Sequence, residues 1–140
     1  MSAAELLPLH LGSKASGTVR VPGSKSLSNR LLLLAAVADG ETTLTHLLDS
    51  DDVRRMREAL AGLGVETETT SDGLRVRGAG GMLKNPASTP LTLHLGNAGT
   101  AMRPLTALLA AGAGTFILDG DPRMRERPLG PLVDALRALG

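Results

Sequence analysis

The sequence predicts an α/β (α+β) fold that repeats a β-α-β-α-β-β unit, and three observations support this prediction. Helix-length apolar stretches alternate with short stretches of Thr and Val that have a period of two. Gly23 and Gly96 lie 73 residues apart, and so do Arg30 and Arg103. The string ALAGLG at 59–64 recurs as ALRALG at 135–140. We interpret these as two copies of one supersecondary unit, although any two apolar helices share some likeness.

The first copy is delimited by local signals. Ser24 is a helix cap and Gly40 a helix stop, while Ser50 or Asp51 opens a second helix that ends before Gly64. A turn over 71–73 separates two strands of a hairpin. The predicted elements are strands over 6–11 and 18–21, a helix over 25–38, a strand over 41–47, a helix over 52–63, and strands over 65–70 and 74–77.

The second copy follows a loop rich in Gly, Pro and Ser, and its elements come in the same order. We predict a strand over 91–95, a helix over 100–111, a strand over 115–119, a loop over 120–128 and a helix over 129–139. The hairpin of the first copy has no counterpart before Gly140. The predicted organisation is an N-terminal segment 1–17, a first unit 18–78, a linker loop 79–90, and a second unit 91–140 that is cut before its hairpin.

Composition excludes several classes of function. Fifteen Lys and Arg against 14 Asp and Glu give a net charge of +1, so no overall field attracts nucleic acid or a membrane. One Phe, no Trp and no Tyr leave no aromatic platform for base stacking, and zero Cys excludes thiolate sites. No apolar run reaches the ~18 residues that span a bilayer, and no signal-peptide pattern opens the chain. The expected location is the cytoplasm.

The string PGSKSLSNR at 22–30 joins a predicted strand to a helix start. Its Pro-Gly turn allows close backbone approach, and free amide groups at a helix start attract anions. Lys25 adds a mobile cation, while Ser26 and Arg30 share one helix face. The pattern predicts an anion site and excludes a Walker A loop, because the GxxxxGK[ST] spacing is absent. The alternative is a capped helix with two solvated cations.

Two further strings add to this prediction. LGNAGTAMRP at 95–104 holds the corresponding place in the second copy, so the two helix starts could converge on one ligand. Its Gly96 and Gly99 allow close approach, and Asn97 and Thr100 are polar. DPRMRERP at 121–128 carries three arginines in five residues, of which one or more could reach an anion. The alternatives are turns that only cap helices and a solvated basic loop.

The acidic run 49–52 opens the second predicted helix. Carboxylates there complement the helix dipole, so we favour capping over a metal site, for which EF-hand spacing is absent. His10, His46 and His94 lack any HxxxH or HExxH spacing, so none is expected to be a ligand or a base.

Together with LLDSDDVRRM at 47–56 and the helix string that ends at residue 137, these motifs resemble the enolpyruvyl transferases. Within that class they are similar to the 5-enolpyruvylshikimate-3-phosphate synthase family. The resemblance implies a fold of the inside-out α/β barrel type, with three such units in each of two domains and a cleft between them. Residues 1–17 would belong to the other domain.

The resemblance also implies transfer of the enolpyruvyl group of phosphoenolpyruvate to the 5-hydroxyl of shikimate 3-phosphate. Phosphate is released, and no metal or organic cofactor takes part. The implied contacts are Lys25, Ser26 and Arg30 for shikimate 3-phosphate, and Lys25, Asn97, Gly99, Thr100 and Arg127 for phosphoenolpyruvate.

Members of this family are much longer than 140 residues, and their proton-transferring groups lie on parts absent here. No catalytic residue is therefore assigned. We expect an N-terminal fragment that carries part of the substrate site, is inactive alone, and has the rest of the enzyme chain as its partner. The alternatives are a stand-alone anion-binding or regulatory module and one half of a split enzyme.

Overall fold

The computed structural model describes Gly12 and residues 16–140, which form helices packed against two small sheets. The helices are α1 (Lys25–Val37), α2 (Asp51–Gly62), α3 (Gly99–Ala110), α4 (Pro122–Arg125) and α5 (Gly130–Leu139). The strands are β1 (Glu41–Leu44), β2 (Glu66–Thr70), β3 (Gly73–Arg77), β4 (Leu91–His94) and β5 (Phe116–Asp119). Within the described ranges, no helix is long and apolar enough to span a bilayer.

The first sheet is antiparallel, with the strand order β1-β3-β2. Its central strand β3 places Val76 opposite Thr42 on one side and opposite Thr67 on the other. The β2–β3 turn ends at Gly73, whose φ of +144° and close approach to the Leu44 carbonyl leave no room for a side chain. The second sheet is the parallel pair β4 and β5, which is joined by α3.

Three helices enclose the core. Helices α1, α2 and α3 pack on one another, and α1 and α2 also cover strands of the first sheet. The core consists of Leu, Val, Ala and Met, in keeping with the near absence of aromatic residues. Its fully buried side chains include Leu32, Met56, Leu60, Leu95 and Leu105. This packing fixes the N-terminal ends of the three helices relative to one another.

Three predicted elements differ in the structure. Residues 18–21 form no strand: Val19 is 84% exposed and Val21 76%, and no strand among the described residues pairs with them. The strand predicted over 41–47 stops at Leu44, because His46 has a φ of +55°, outside the strand region. Helix α4 lies inside the predicted loop 120–128, and Pro122 suits its first turn. The strand predicted over 6–11 lies outside the described residues.

The remaining predicted elements are confirmed with bounds shifted by one residue. Helix α1 begins after Ser24, whose hydroxyl accepts a hydrogen bond from the Leu27 amide over 3.4 Å. The loop 79–90 has no helix or named strand and forms one isolated bridge, from Lys84 to Ala113. The division into units at 18–78 and 91–140 stays a prediction.

Two helices present apolar side chains to solvent. On α1, Leu27, Leu31 and Leu34 recur at helical spacing and are exposed. Helix α5 packs on α3 but has no buried residue, and its Leu139 is exposed. The corresponding residue in the repeated string, Leu63, is buried.

Candidate functional site

A cavity of about 450 Å³ lies where the N-terminal ends of α1, α2 and α3 meet the segment that follows β5. Its charged lining comprises Lys25, Asp52, Arg103, Asp119, Arg125 and Arg127. Four cations against two carboxylates leave two net positive charges in the wall. Since the whole chain has a net charge of only +1, the cavity concentrates positive charge and favours an anionic ligand.

A chain of polar contacts links α1, α3 and α2 at the floor of the cavity. Asn29 donates from Nδ2 to Thr100 Oγ1 over 2.8 Å, and Thr100 donates from Oγ1 to Asp52 Oδ2 over 2.8 Å. Lys25 Nζ lies 3.4 Å from the same Asp52 oxygen. Asn29 is fully buried, whereas Lys25 is half exposed, so the chain runs from the core to the cavity. It orients the Lys25 ammonium group through Asp52.

The glycine turns of the two repeated strings differ in backbone conformation and environment. Gly96 has a φ of +54°, whereas Gly23 has no positive φ. Gly23 lies against the backbone of residues 46–48, and Gly96 lies beside the Arg55 side chain. Gly120 packs directly on the Gly96 carbonyl, which also accepts a hydrogen bond from the Asp121 amide over 3.1 Å. The second turn therefore interlocks with the segment after β5.

The segment after β5 brings its arginines to the cavity wall. Arg125 donates from Nε and Nη2 to the two oxygens of Asp119, over 2.8 and 2.7 Å. This guanidinium, together with the Gly120 amide, lowers the pKa of Asp119 to about 2. The same bond raises the pKa of Arg125.

Arg127 lies two residues after Arg125, beyond the end of α4. Its amide donates to the Met124 carbonyl over 3.0 Å, and its Nη1 lies directly over the Cα atom of Gly99. Arg103 donates to the Pro128 carbonyl over 3.0 Å and so ties α3 to the end of this segment. Within residues 16–140, Arg127 forms no ion pair, so its guanidinium is available to a ligand.

The residues predicted for phosphoenolpyruvate all line this cavity, namely Lys25, Asn97, Gly99, Thr100 and Arg127. Asn97 lies at the rim, where its Nδ2 donates to Asp121 Oδ2 over 3.1 Å. Two residues predicted for shikimate 3-phosphate do not line the cavity: Ser26 is half-buried at the start of α1, and Arg30 is exposed one turn further on. Their roles stay predictions.

Sequence reasoning missed Asp52, Asn29 and Asp119, and it named Arg125 only as one of three arginines that could reach an anion. The run 49–52 was interpreted only as a helix cap, yet Ser50 caps α2 without a side-chain hydrogen bond, and Asp52 faces the cavity. Asp49 and Asp51 instead pair with Arg54. No group of three His, Asp or Glu side chains among the described residues is arranged to hold a metal ion.

The comparisons with known proteins assign this fold to a class, the enolpyruvyl transferases. EPSP synthase from Acinetobacter baumannii superposes with a TM-score of 0.78 at 35% identity, over 89% of this chain and 28% of that chain. The family model described as EPSP synthase (3-phosphoshikimate 1-carboxyvinyltransferase) matches residues 9–140. The chain belongs to the EPSP synthase family.

Curated relatives carry the same name. The 3-phosphoshikimate 1-carboxyvinyltransferase of Shewanella denitrificans is 59% identical over 136 residues, which cover 94% of this chain and 31% of that protein. The Serratia proteamaculans enzyme is 61% identical over 127 residues, which cover 89% of this chain and 29% of that protein. The chain therefore spans about three-tenths of the length of the curated relatives it matches.

Proposed function

We propose that this chain supplies part of the substrate site for transfer of the enolpyruvyl group of phosphoenolpyruvate to shikimate 3-phosphate. The observation that carries the proposal is the convergence of Lys25, Arg127 and the Gly99 backbone on one cavity of net positive charge. Both substrates bear phosphate and carboxylate groups, which match a mobile ammonium and a planar guanidinium fork. The name of the relatives, 3-phosphoshikimate 1-carboxyvinyltransferase, supplies the acceptor and the transferred group, while phosphoenolpyruvate as the donor is what the family resemblance implies.

The two substrates would lie side by side and share Lys25. Phosphoenolpyruvate would occupy the cavity between Arg127 and the start of α3. Shikimate 3-phosphate would lie beside Lys25, towards Ser26 and Arg30, which follow it on α1. This arrangement brings the enolpyruvyl carbon and the attacking hydroxyl together, which contributes to rate through proximity and orientation.

A titration of the 15N-labelled chain with phosphoenolpyruvate tests the binding half of this proposal. We expect amide shifts at residues 97–103 and 124–128, and loss of binding in Lys25→Gln and Arg127→Gln. Arg75→Gln is the matched control, because it removes one cation from the hairpin, outside the cavity. Absence of shifts at millimolar ligand, or equal shifts with lactate, would contradict the proposal.

A second experiment concerns activity. No described residue of the cavity is assigned as the proton-transfer group, so we expect no phosphate release when the chain is mixed with both substrates. The remainder of the enzyme chain would supply that group as partner. Turnover by the 140-residue chain alone would contradict this part. Cytoplasmic location stays a prediction.

A further inference from the structure

A two-bond ion pair stands where β5 leads into α4. Arg125 donates from Nε to one oxygen of Asp119 and from Nη2 to the other. The Gly120 amide donates to the first of these oxygens over 2.8 Å. Parallel bonds of this kind fix the plane of the guanidinium as well as its distance. We call the Asp119–Arg125 pair the clasp.

The clasp closes the segment that carries Arg127. Asp119 belongs to the parallel sheet, where it pairs in register with His94. Arg125 ends α4, whose Met124 is buried. The Arg127 amide donates to the Met124 carbonyl, so the position of Arg127 depends on how α4 is held against the end of the sheet.

The clasp also decides which arginine is available to an anion. Arg125 and Arg127 line the same cavity. Asp119 occupies the fork of Arg125, whereas Arg127 lies open over the Gly99 backbone. Without the Asp119 carboxylate, Arg125 would join Arg103 and Arg127 as a cavity guanidinium with no carboxylate partner among the described residues, and it could draw an anion away from Gly99.

We propose that Asp119 and Arg125 are a positioning pair, which holds Arg127 over Gly99 and keeps the Arg125 guanidinium off the ligand. Neither residue contacts the ligand in this proposal. The inference rests on the proposed function, because the purpose of the clasp is defined by anion binding at Arg127.

The test compares Asp119→Asn, Arg125→Gln and their double variant with the unmodified 140-residue chain. The Nε–Hε signal of Arg127 in a 15N spectrum of the ligand-free chain reports on its order. We expect both single variants to broaden that signal and to weaken phosphoenolpyruvate binding about tenfold, within the range of coupling in one ion-pair network. The double variant should bind no more weakly than either single variant.

Two controls separate positioning from general destabilisation. Glu68→Gln removes an exposed ion pair to Arg75 on the hairpin and should leave both the Arg127 signal and the affinity unchanged. Arg125→Lys keeps the charge but loses the fork, so it should bind with an affinity between those of the unmodified chain and Arg125→Gln. All these variants should keep the far-ultraviolet circular dichroism of the unmodified chain, so that a weaker affinity does not reflect loss of the fold.

The outcomes distinguish this inference from the function beneath it. If the unmodified chain binds no phosphoenolpyruvate, the proposed function is wrong. The Arg127 signal of the ligand-free chain then tests by itself whether the clasp positions Arg127. A sharp, unshifted Arg127 signal in Asp119→Asn overturns the clasp. If the unmodified chain binds, an unchanged affinity in Asp119→Asn also overturns it.

Discussion

The hydroxyl of Thr100 is the central link of the polar chain from Asn29 to Asp52, so its removal should destabilise the fold measurably. Thr100→Val keeps the shape of the side chain but removes one acceptor and one donor. The Nδ2 group of Asn29 then loses its partner in a fully buried site, and Oδ1 of the same amide already has no partner in the described part of the chain. A buried group left without a partner costs about 1–3 kcal/mol.

The loss of the hydrogen bond from Thr100 to Asp52 adds less to the free-energy cost. The Asp52 side chain is 17% exposed, so water can replace the hydroxyl at its carboxylate, and the loss is about 1 kcal/mol. The sum predicts that Thr100→Val lowers the free energy of unfolding by about 2–4 kcal/mol. Urea denaturation followed by circular dichroism measures this quantity, provided that the slope against urea is unchanged.

Thr106→Val is a matched control on the same helix. Its hydroxyl donates over 2.8 Å to the Met102 carbonyl four residues earlier. Removal of this hydroxyl leaves no buried side chain without a hydrogen-bond partner. We expect a cost below about 1 kcal/mol there. If Thr100→Val costs no more than Thr106→Val, the buried polar chain is not a stabilising element. A double-mutant cycle with Asn29→Ala should also give a coupling of at least ~0.5 kcal/mol.

Three further predictions concern the ligand, the pH and the core. Gly99→Ala would place a methyl group against the end of the Arg127 side chain, which can move aside. Isothermal calorimetry should therefore show a loss of phosphoenolpyruvate affinity, with little change in the thermal midpoint. Undiminished affinity would contradict this prediction. The pKa of Asp119 is about 2 when folded, below its ordinary 3.8, so its contribution to stability is full above that ordinary value and is lost as the pH falls towards 2. Acid titration of the unfolding free energy should therefore be shallower for Asp119→Asn, and parallel curves would refute the shift. Leu34 is 64% exposed, whereas Leu60 is fully buried. In urea unfolding, Leu34→Gln should change the free energy of unfolding by at most about 0.5 kcal/mol, and Leu60→Ala should lower it by about 2–5 kcal/mol. Similar costs for the two variants would contradict the packing described.

Helices were the most predictable part of the fold, because their signals are local. Ser24 and Gly40 delimit α1 in the sequence, and the structure confirms the helix between them. The segment 18–21 has a strand-like composition, yet a strand exists only where a neighbour accepts its hydrogen bonds, and no local pattern reports that neighbour.

The candidate site likewise contains residues that could be predicted from the sequence and residues that could not. Lys25 was selected because its motif has a local physical explanation, and Arg127 because the family resemblance implies a contact there; both line the cavity. The role of Asp52 depends on Thr100, which is 48 residues away, while its own surroundings in the sequence suggest only a helix cap. The Asp119–Arg125 pair bridges a strand end and a short helix that was predicted as loop, so its geometry was invisible beforehand.

The interlock of Gly96 with Gly120 has a consequence for how the cavity is assembled during folding. These glycines are 24 residues apart and come into contact only once β4 and β5 have paired across α3. Lys25 and Asp52 enter the same cavity from still earlier parts of the chain. The cavity forms only when segments that are far apart in the sequence have come together. Such non-local contacts form slowly, so we expect the cavity to assemble late in folding. An anion that fits the cavity would therefore recognise only chains whose two sheets and helices α1, α2 and α3 are already assembled.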